Sequence, residues 1–172
     1  MAVCDIHGQP ISKEWCAEFR GYFMADGCLM FNKYRRKYHT KNGPKYSHLF
    51  RVSARIALRG DCKDTLLEIQ SRLGGCIFRR NGHNSPSLGG GKVYVSKHTE
   101  EWIVTSREAL QRVADILKGP LIPYRKAEQL IPFQELISML HESGQHYTSD
   151  EKKRIFALGE QLSSLKAYKV NK

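Results

Sequence analysis

The sequence predicts an α+β fold in the order α-β-β-α-β-β-α, followed by extra C-terminal helices. Three observations carry that expectation. Residues 46–59 alternate apolar and polar side chains at the period of two that a strand imposes. Trp15, Phe19, Tyr22 and Phe23 recur instead at helical spacing and form one apolar stripe. Breaks at Asn42-Gly43-Pro44, Gly74-Gly75 and Gly119-Pro120 divide the chain further into lengths that suit single elements. The whole of 1–172 is expected to form one domain, with a core over 12–141 and a helical extension over 142–172.

Ser12 is a fair N-cap for the first helix, with Glu14 in its first turn. Ala17, Gly21 and Ala25 recur every four residues and leave one face almost bare of side chain. A second backbone can approach such a face closely. The helix is expected to end at Asp26, with Gly27 as a left-handed C′ residue. A carboxylate in the last turn faces the negative end of the macrodipole, a penalty of about 0.3–1 kcal/mol. An acid set against its dipole invites a functional explanation.

Residues 28–40 read as a strand, 41–45 as a turn and 46–59 as a second strand. Phe50, Val52, Ala54, Ile56 and Leu58 point one way, and Arg51, Ser53, Arg55, Ala57 and Arg59 the other. The first strand presents Asn32, Tyr34, Arg36 and Tyr38 on one side by the same period. Residues 27–60 hold no Asp or Glu but nine Lys or Arg residues. A solvated face normally mixes signs, so the segregation marks a surface for a polyanion. Arginine, asparagine and tyrosine on a ribbon suit the base edges and phosphates of duplex DNA.

A helix follows over 61–73, with Asp61 as N-cap, Leu66, Leu67, Ile69 and Leu73 as its apolar side, and Gly74-Gly75 closing it. Residues 76–81 read as a third strand bearing Arg79, Arg80 and Asn81. A mobile loop is expected over 82–92, then a fourth strand or two short ones over 93–105, with Trp102 and Val104 inward. Helices are expected over 107–117, from 124 onward with a kink or break at Pro132, and from a Thr148/Glu151 capping box to 165. A basic, frayed tail closes the chain.

The formal net charge of +11 points to a partner dense in negative charge. Five scattered cysteines at 4, 16, 28, 62 and 76 favour free thiols in a reducing compartment. Cys4 and His7 lack a second ligand pair at finger spacing, which speaks against a zinc site. No apolar run approaches a membrane span or a signal-peptide core, so a soluble protein of the cytoplasm or an organelle is expected.

Residues 19–27 resemble the motif of the LAGLIDADG homing endonucleases. Gly21, Ala25, Asp26 and Gly27 match it by identity, and Phe19, Tyr22 and Phe23 by type. Arg20 stands where the family usually has a small residue, and Met24 where an acid is frequent. The order and spacing of the elements are similar to those of the small, single-motif members. The resemblance implies the homing-endonuclease fold, with a curved antiparallel sheet that binds DNA. It also implies a site-specific endonuclease, as in intron homing, that binds a long near-palindromic duplex and hydrolyses both strands with a divalent metal, leaving short 3′ overhangs. One motif per chain implies a homodimer with Ala17, Gly21, Tyr22 and Ala25 at its interface.

In the family the aspartate matching Asp26 binds the metal, with the backbone carbonyl of Ala25 as a further ligand. Oxygen ligands and a phosphate substrate favour Mg²⁺ or Mn²⁺, and no organic cofactor is implied. A family lysine near the cleavage site matches either Lys126, by residue type, or Arg125, by register, and the sequence does not separate them. Asn32, Tyr34, Arg36, Tyr38, Arg51, Ser53, Arg55, Arg59, Arg79 and Asn81 are the candidate DNA contacts. Leu58 stands where relatives often carry a polar residue that orders water, with Arg59 beside it. Two rival readings stay open, a non-cleaving DNA-binding protein and an RNA-splicing maturase.

Overall fold

The first helix, α1 (Lys13–Asp26), runs directly into a long hairpin of β1 (Gly27–Thr40) and β2 (Gly43–Arg59). After a 3-10 turn (Gly60–Cys62) come α2 (Lys63–Leu73), β3 (Cys76–Arg80), a small hairpin of β4 (Asn84–Pro86) and β5 (Val93–Val95), and β6 (Thr99–Val104). Three helices follow: α3 (Arg107–Leu117), α4 (Tyr124–Ser138) and α5 (Ser149–Ser164). This computed structural model describes residues 3–41, 43–81, 84–86, 93–95, 98–119, 124–140 and 146–165. The side chains of Tyr38 and Arg125, the tail 166–172 and most of the loop 82–92 lie outside the described residues.

The main sheet is antiparallel in the order β1-β2-β6-β3. Leu29, Val52, Ala54, Ile56, Trp102 and Val104 point to its helix-covered face and are buried. Phe19 stacks at 5.6 Å on Trp15 and meets Trp102 edge-on at 6.0 Å, which locks α1 over the sheet. The Trp102 indole N–H donates to the Gly74 carbonyl at 2.8 Å. Gly74 and Gly75 have φ of 77° and 95°, the left-handed turn the sequence predicts at the end of α2. Among the described residues no helix is long and apolar enough to cross a membrane.

Several local expectations are corrected. Gly27 is extended (φ −84°, ψ 151°) rather than left-handed, because α1 passes straight into β1. A glycine is needed there for another reason: a Cβ would lie 2.4 Å from the Phe23 carbonyl oxygen. Gly43, Pro44 and Lys45 belong to β2 rather than to a turn, since pairing continues to Thr40 opposite Gly43 and the Thr40 hydroxyl donates to the Gly43 carbonyl at 2.7 Å. Asp61 does not cap α2; its carboxylate takes the Arg59 guanidinium at 2.8 Å. Leu67 is exposed, because Leu66, Ile69 and Leu73 already fill the buried side of α2. Within the expected mobile loop, residues 84–86 form β4 and pair with β5. Helix α4 continues through Pro132, which overturns a break there and leaves the expected kink as the alternative.

The C-terminal helix packs on the middle of the long hairpin. Phe31 and Phe50 stack at 6.0 Å, and Phe156 of α5 sits edge-on to both, at 6.1 and 6.2 Å. Tyr147 closes the group against Phe50 at 5.1 Å. The Thr148–Glu151 capping box that starts α5 is present in full.

Candidate active site

Asp26 and Ala25 end α1 in exposed positions. The last-turn carbonyls of a helix have no partner within it. The Gly27 N–H reaches back to the Phe23 carbonyl, and Lys126, from the first turn of α4, adds a second donor: its ammonium donates to the carbonyls of Phe23 and Gly27, the latter at 2.8 Å. Its aliphatic stem borders a narrow apolar gap with Phe23, Met24, Leu29 and Leu117. Burial pushes the Lys126 ammonium below the ordinary lysine pKa, while the nearby Cys28 and Asp26 oppose that shift. A cation is thus held beside Asp26 with no neutralising ion pair among the described residues. Lys126, one of the two cations that the sequence left open, is brought to the end of α1, and the side chain of the other, Arg125, lies outside the described residues.

The small-residue face of α1 is open. Gly21 and Ala25 are exposed, Ala17 and Tyr22 are half-buried, and a Cβ at Gly21 would meet nothing within 4 Å. The Tyr22 hydroxyl donates to Glu18 at 3.1 Å, and that bond raises its pKa. Arg20, the departure from the motif, turns away to α3, where Nη1 donates to the Ile116 carbonyl at 3.1 Å. Among the described residues no three His, Cys, Asp or Glu side chains converge on a metal-sized site. All five cysteines are free thiols.

The uncovered sheet face begins at the residues after Asp26. Asn32 lies opposite Arg51, Tyr34 opposite Leu49, Arg36 opposite Ser47 and Tyr38 opposite Lys45. Directly paired residues share a face, so the hairpin candidates all fall on one side. Asn32, Tyr34, Arg36 and Arg51 are exposed there. Arg59 is exposed too, bound to Asp61.

The structure sets four residues of the expected set apart. Ser53 is on that face but buried, only 4% exposed. Arg79 pairs with Glu100 and so shares the side of Trp102, on the helix-covered face; Asn81 lies beyond the end of β3. Arg55 is on that face and 31% exposed, with Nη1 held at 3.0 Å by Oε1 of Glu101.

Sequence reasoning missed Arg80, Phe78 and Glu101, which the β3–β6 register brings to the uncovered face. Phe78 is 53% exposed, a large apolar ring on a cationic surface. The run Arg79-Arg80-Asn81 offers a polar residue to either face, and only the pairing with Trp102 decides between them.

This arrangement is the homing-endonuclease fold. No protein-family model matches the chain, and neither does any curated protein. Among solved structures, the archaeal intron-encoded homing endonuclease I-Vdi141I, complexed with DNA, matches 94% of this chain and 91% of its own, with a TM-score of 0.56 at 17% identity. The homing endonuclease I-TnaI matches 90% of this chain and 95% of its own, also at 0.56 and 17%. The LAGLIDADG homing endonuclease I-LtrWI, bound to target DNA, matches 88% of this chain but 44% of its own, at 0.56 and 15%. I-SmaMI, bound to an uncleaved DNA target in the presence of calcium ions, gives 90% and 45%, at 0.55 and 15%. At such identities the likeness lies in the fold.

Proposed function

We propose that two copies of this chain form a metal-dependent LAGLIDADG homing endonuclease that hydrolyses both strands of a long, near-palindromic duplex and leaves short 3′ overhangs. One convergence carries the reading. At the C-terminal end of α1 an exposed carboxylate, an exposed small-residue face and the Lys126 ammonium meet, and the uncovered cationic sheet face starts there. Coverage favours two copies: the chain spans 91% of I-Vdi141I but 44% of I-LtrWI, the ratio expected if two short chains do the work of one long one.

With the bare faces of α1 in contact, the two Asp26 side chains approach each other. Two carboxylates about 5 Å apart at an effective dielectric of ~20 repel by roughly 3 kcal/mol. The Asp26 carboxylate and Ala25 carbonyl are hard oxygen donors that suit Mg²⁺ or Mn²⁺, and the neighbouring Phe23 and Gly27 carbonyls are taken by Lys126. Such a cation, when bound, polarises the scissile phosphate and lowers the pKa of the attacking water. Lys126 stabilises negative charge as it develops on the phosphate oxygens. Asn32, Tyr34, Arg36, Tyr38, Arg51 and Arg59 hold the duplex along the hairpin. Ten residues at about 3.3 Å each cover roughly 33 Å, or about ten base pairs per half-site.

The test starts from a duplex selected by the protein out of a randomised pool in EDTA, then cloned into supercoiled plasmid. Linear product with Mg²⁺, and none with EDTA, is the expected result. Binding without linear product in Mg²⁺ would replace this reading with a non-cleaving binder. Preference for a folded RNA over any duplex would replace it with a maturase.

A further inference from the structure

We propose that Glu101 is a positioning residue that holds Arg55 and Arg80 as a fixed two-arginine reader of guanines, an inference that rests on the duplex-binding role above. Glu101 lies on β6, opposite Ala57 of β2 and Phe78 of β3, on the uncovered face. It is the single acid among the described strand residues of that face, and it is only 2% exposed. Arg55 and Arg80 reach it from the strands on either side. Oε1 takes Arg55 Nη1 at 3.0 Å, and Oε2 takes Arg80 Nη2 at 2.5 Å. Each carboxylate oxygen therefore engages one nitrogen of one arginine, and each guanidinium retains further N–H donors.

The arginine side chains remain 31% and 58% exposed, so their free edges face outward. A buried carboxylate is costly to desolvate, and aliphatic neighbours would fill the space at less cost. On a phosphate-binding face its charge also opposes affinity. What it supplies is orientation. An unheld arginine follows the nearest phosphate, which carries no sequence information, whereas one pinned from behind presents a fixed donor pair. In the major groove the matching acceptor pair is N7 and O6 of guanine. Arg55 lies opposite Cys28, two residues after Asp26, which sets this reader at the inner end of each half-site.

Wild type, Glu101→Gln and Arg80→Gln would each be bound in EDTA to a randomised duplex pool, and the bound fraction sequenced. Wild type is expected to enrich guanine at two inner positions per half-site. Glu101→Gln should lose about tenfold or more of that enrichment at both positions and keep the outer ones. Its affinity for random duplex should rise, with a salt slope steeper by about two, as the two released arginines turn to phosphates. Arg80→Gln should lose one of the two positions. An unchanged preference in Glu101→Gln, or an equal loss at every position, overturns the inference and leaves duplex binding standing. Failure of wild type to enrich any sequence overturns the duplex-binding proposal itself. If Glu101→Gln does not fold, Arg80→Gln decides: loss of one guanine supports the reader, and an unchanged preference ends it.

Discussion

Lys126 and Asp26 sit side by side at one helix end and have opposite tasks, so their removal should fail differently. Asp26 is exposed, and its carboxylate makes no hydrogen bond or ion pair among the described residues, so Asp26→Asn should leave folding intact. The same change removes the anionic oxygen that would hold the divalent ion. Plasmid linearisation should fall below detection while gel-shift affinity for the selected duplex stays within about twofold. Lys126→Met deletes the cation next to the scissile phosphate, and loss of one such electrostatic contact costs about 100-fold in rate. It also removes the Lys126 hydrogen bonds to the Phe23 and Gly27 carbonyls, at about 0.5–1.5 kcal/mol per hydrogen bond. A thermal melt run beside the single-turnover rate separates the two effects. A rate loss no larger than about threefold would remove Lys126 from the chemistry.

At the scale of elements, α5 is built into the hairpin rather than laid over it. A Cβ at Gly159 would come within 2.2 Å of the Phe31 ring, so α5 touches β1 with its backbone. Gly159→Leu should force that contact apart and cost about 1–3 kcal/mol, read as a lower denaturant midpoint, while Asp26 and Lys126 keep their places. Sequence periodicity could find α1 and β2, because each has one buried side and a repeat that fits its geometry. It could place Asn32, Arg36 and Arg51 on one face for the same reason. It failed where neighbours in space decide. Gly27 carries the signal of a helix stop, yet its extended backbone comes from β1 starting at once and from the crowding of Phe23. Arg79 and Arg80 differ only by register against β6, which no local pattern contains. Glu101 reads as one of two adjacent acids, and its meaning appears only with the two arginines that cover it.

For the whole molecule, Gly21 separates the folding of one chain from the assembly of two. A helix-interior glycine costs roughly 0.5–1 kcal/mol relative to alanine, so its presence asks for a reason. Among the described residues of one chain there is none, since a Cβ at Gly21 meets nothing within 4 Å. Gly21→Ala should therefore stabilise the isolated chain by about 0.5–1 kcal/mol, read from unfolding at concentrations low enough to be monomeric. In a dimer whose α1 helices cross at this face, the added methyl holds the backbones apart and moves both Asp26 side chains off their shared position. Sedimentation should then show a weaker dimer, and cleavage should fall although each chain is more stable. Because dimer stability depends on protomer concentration, the two effects should cross: the variant melts higher when dilute and lower when concentrated. A variant that melts higher at every concentration and cuts as well as wild type would mean that the bare face of α1 is not where two chains meet.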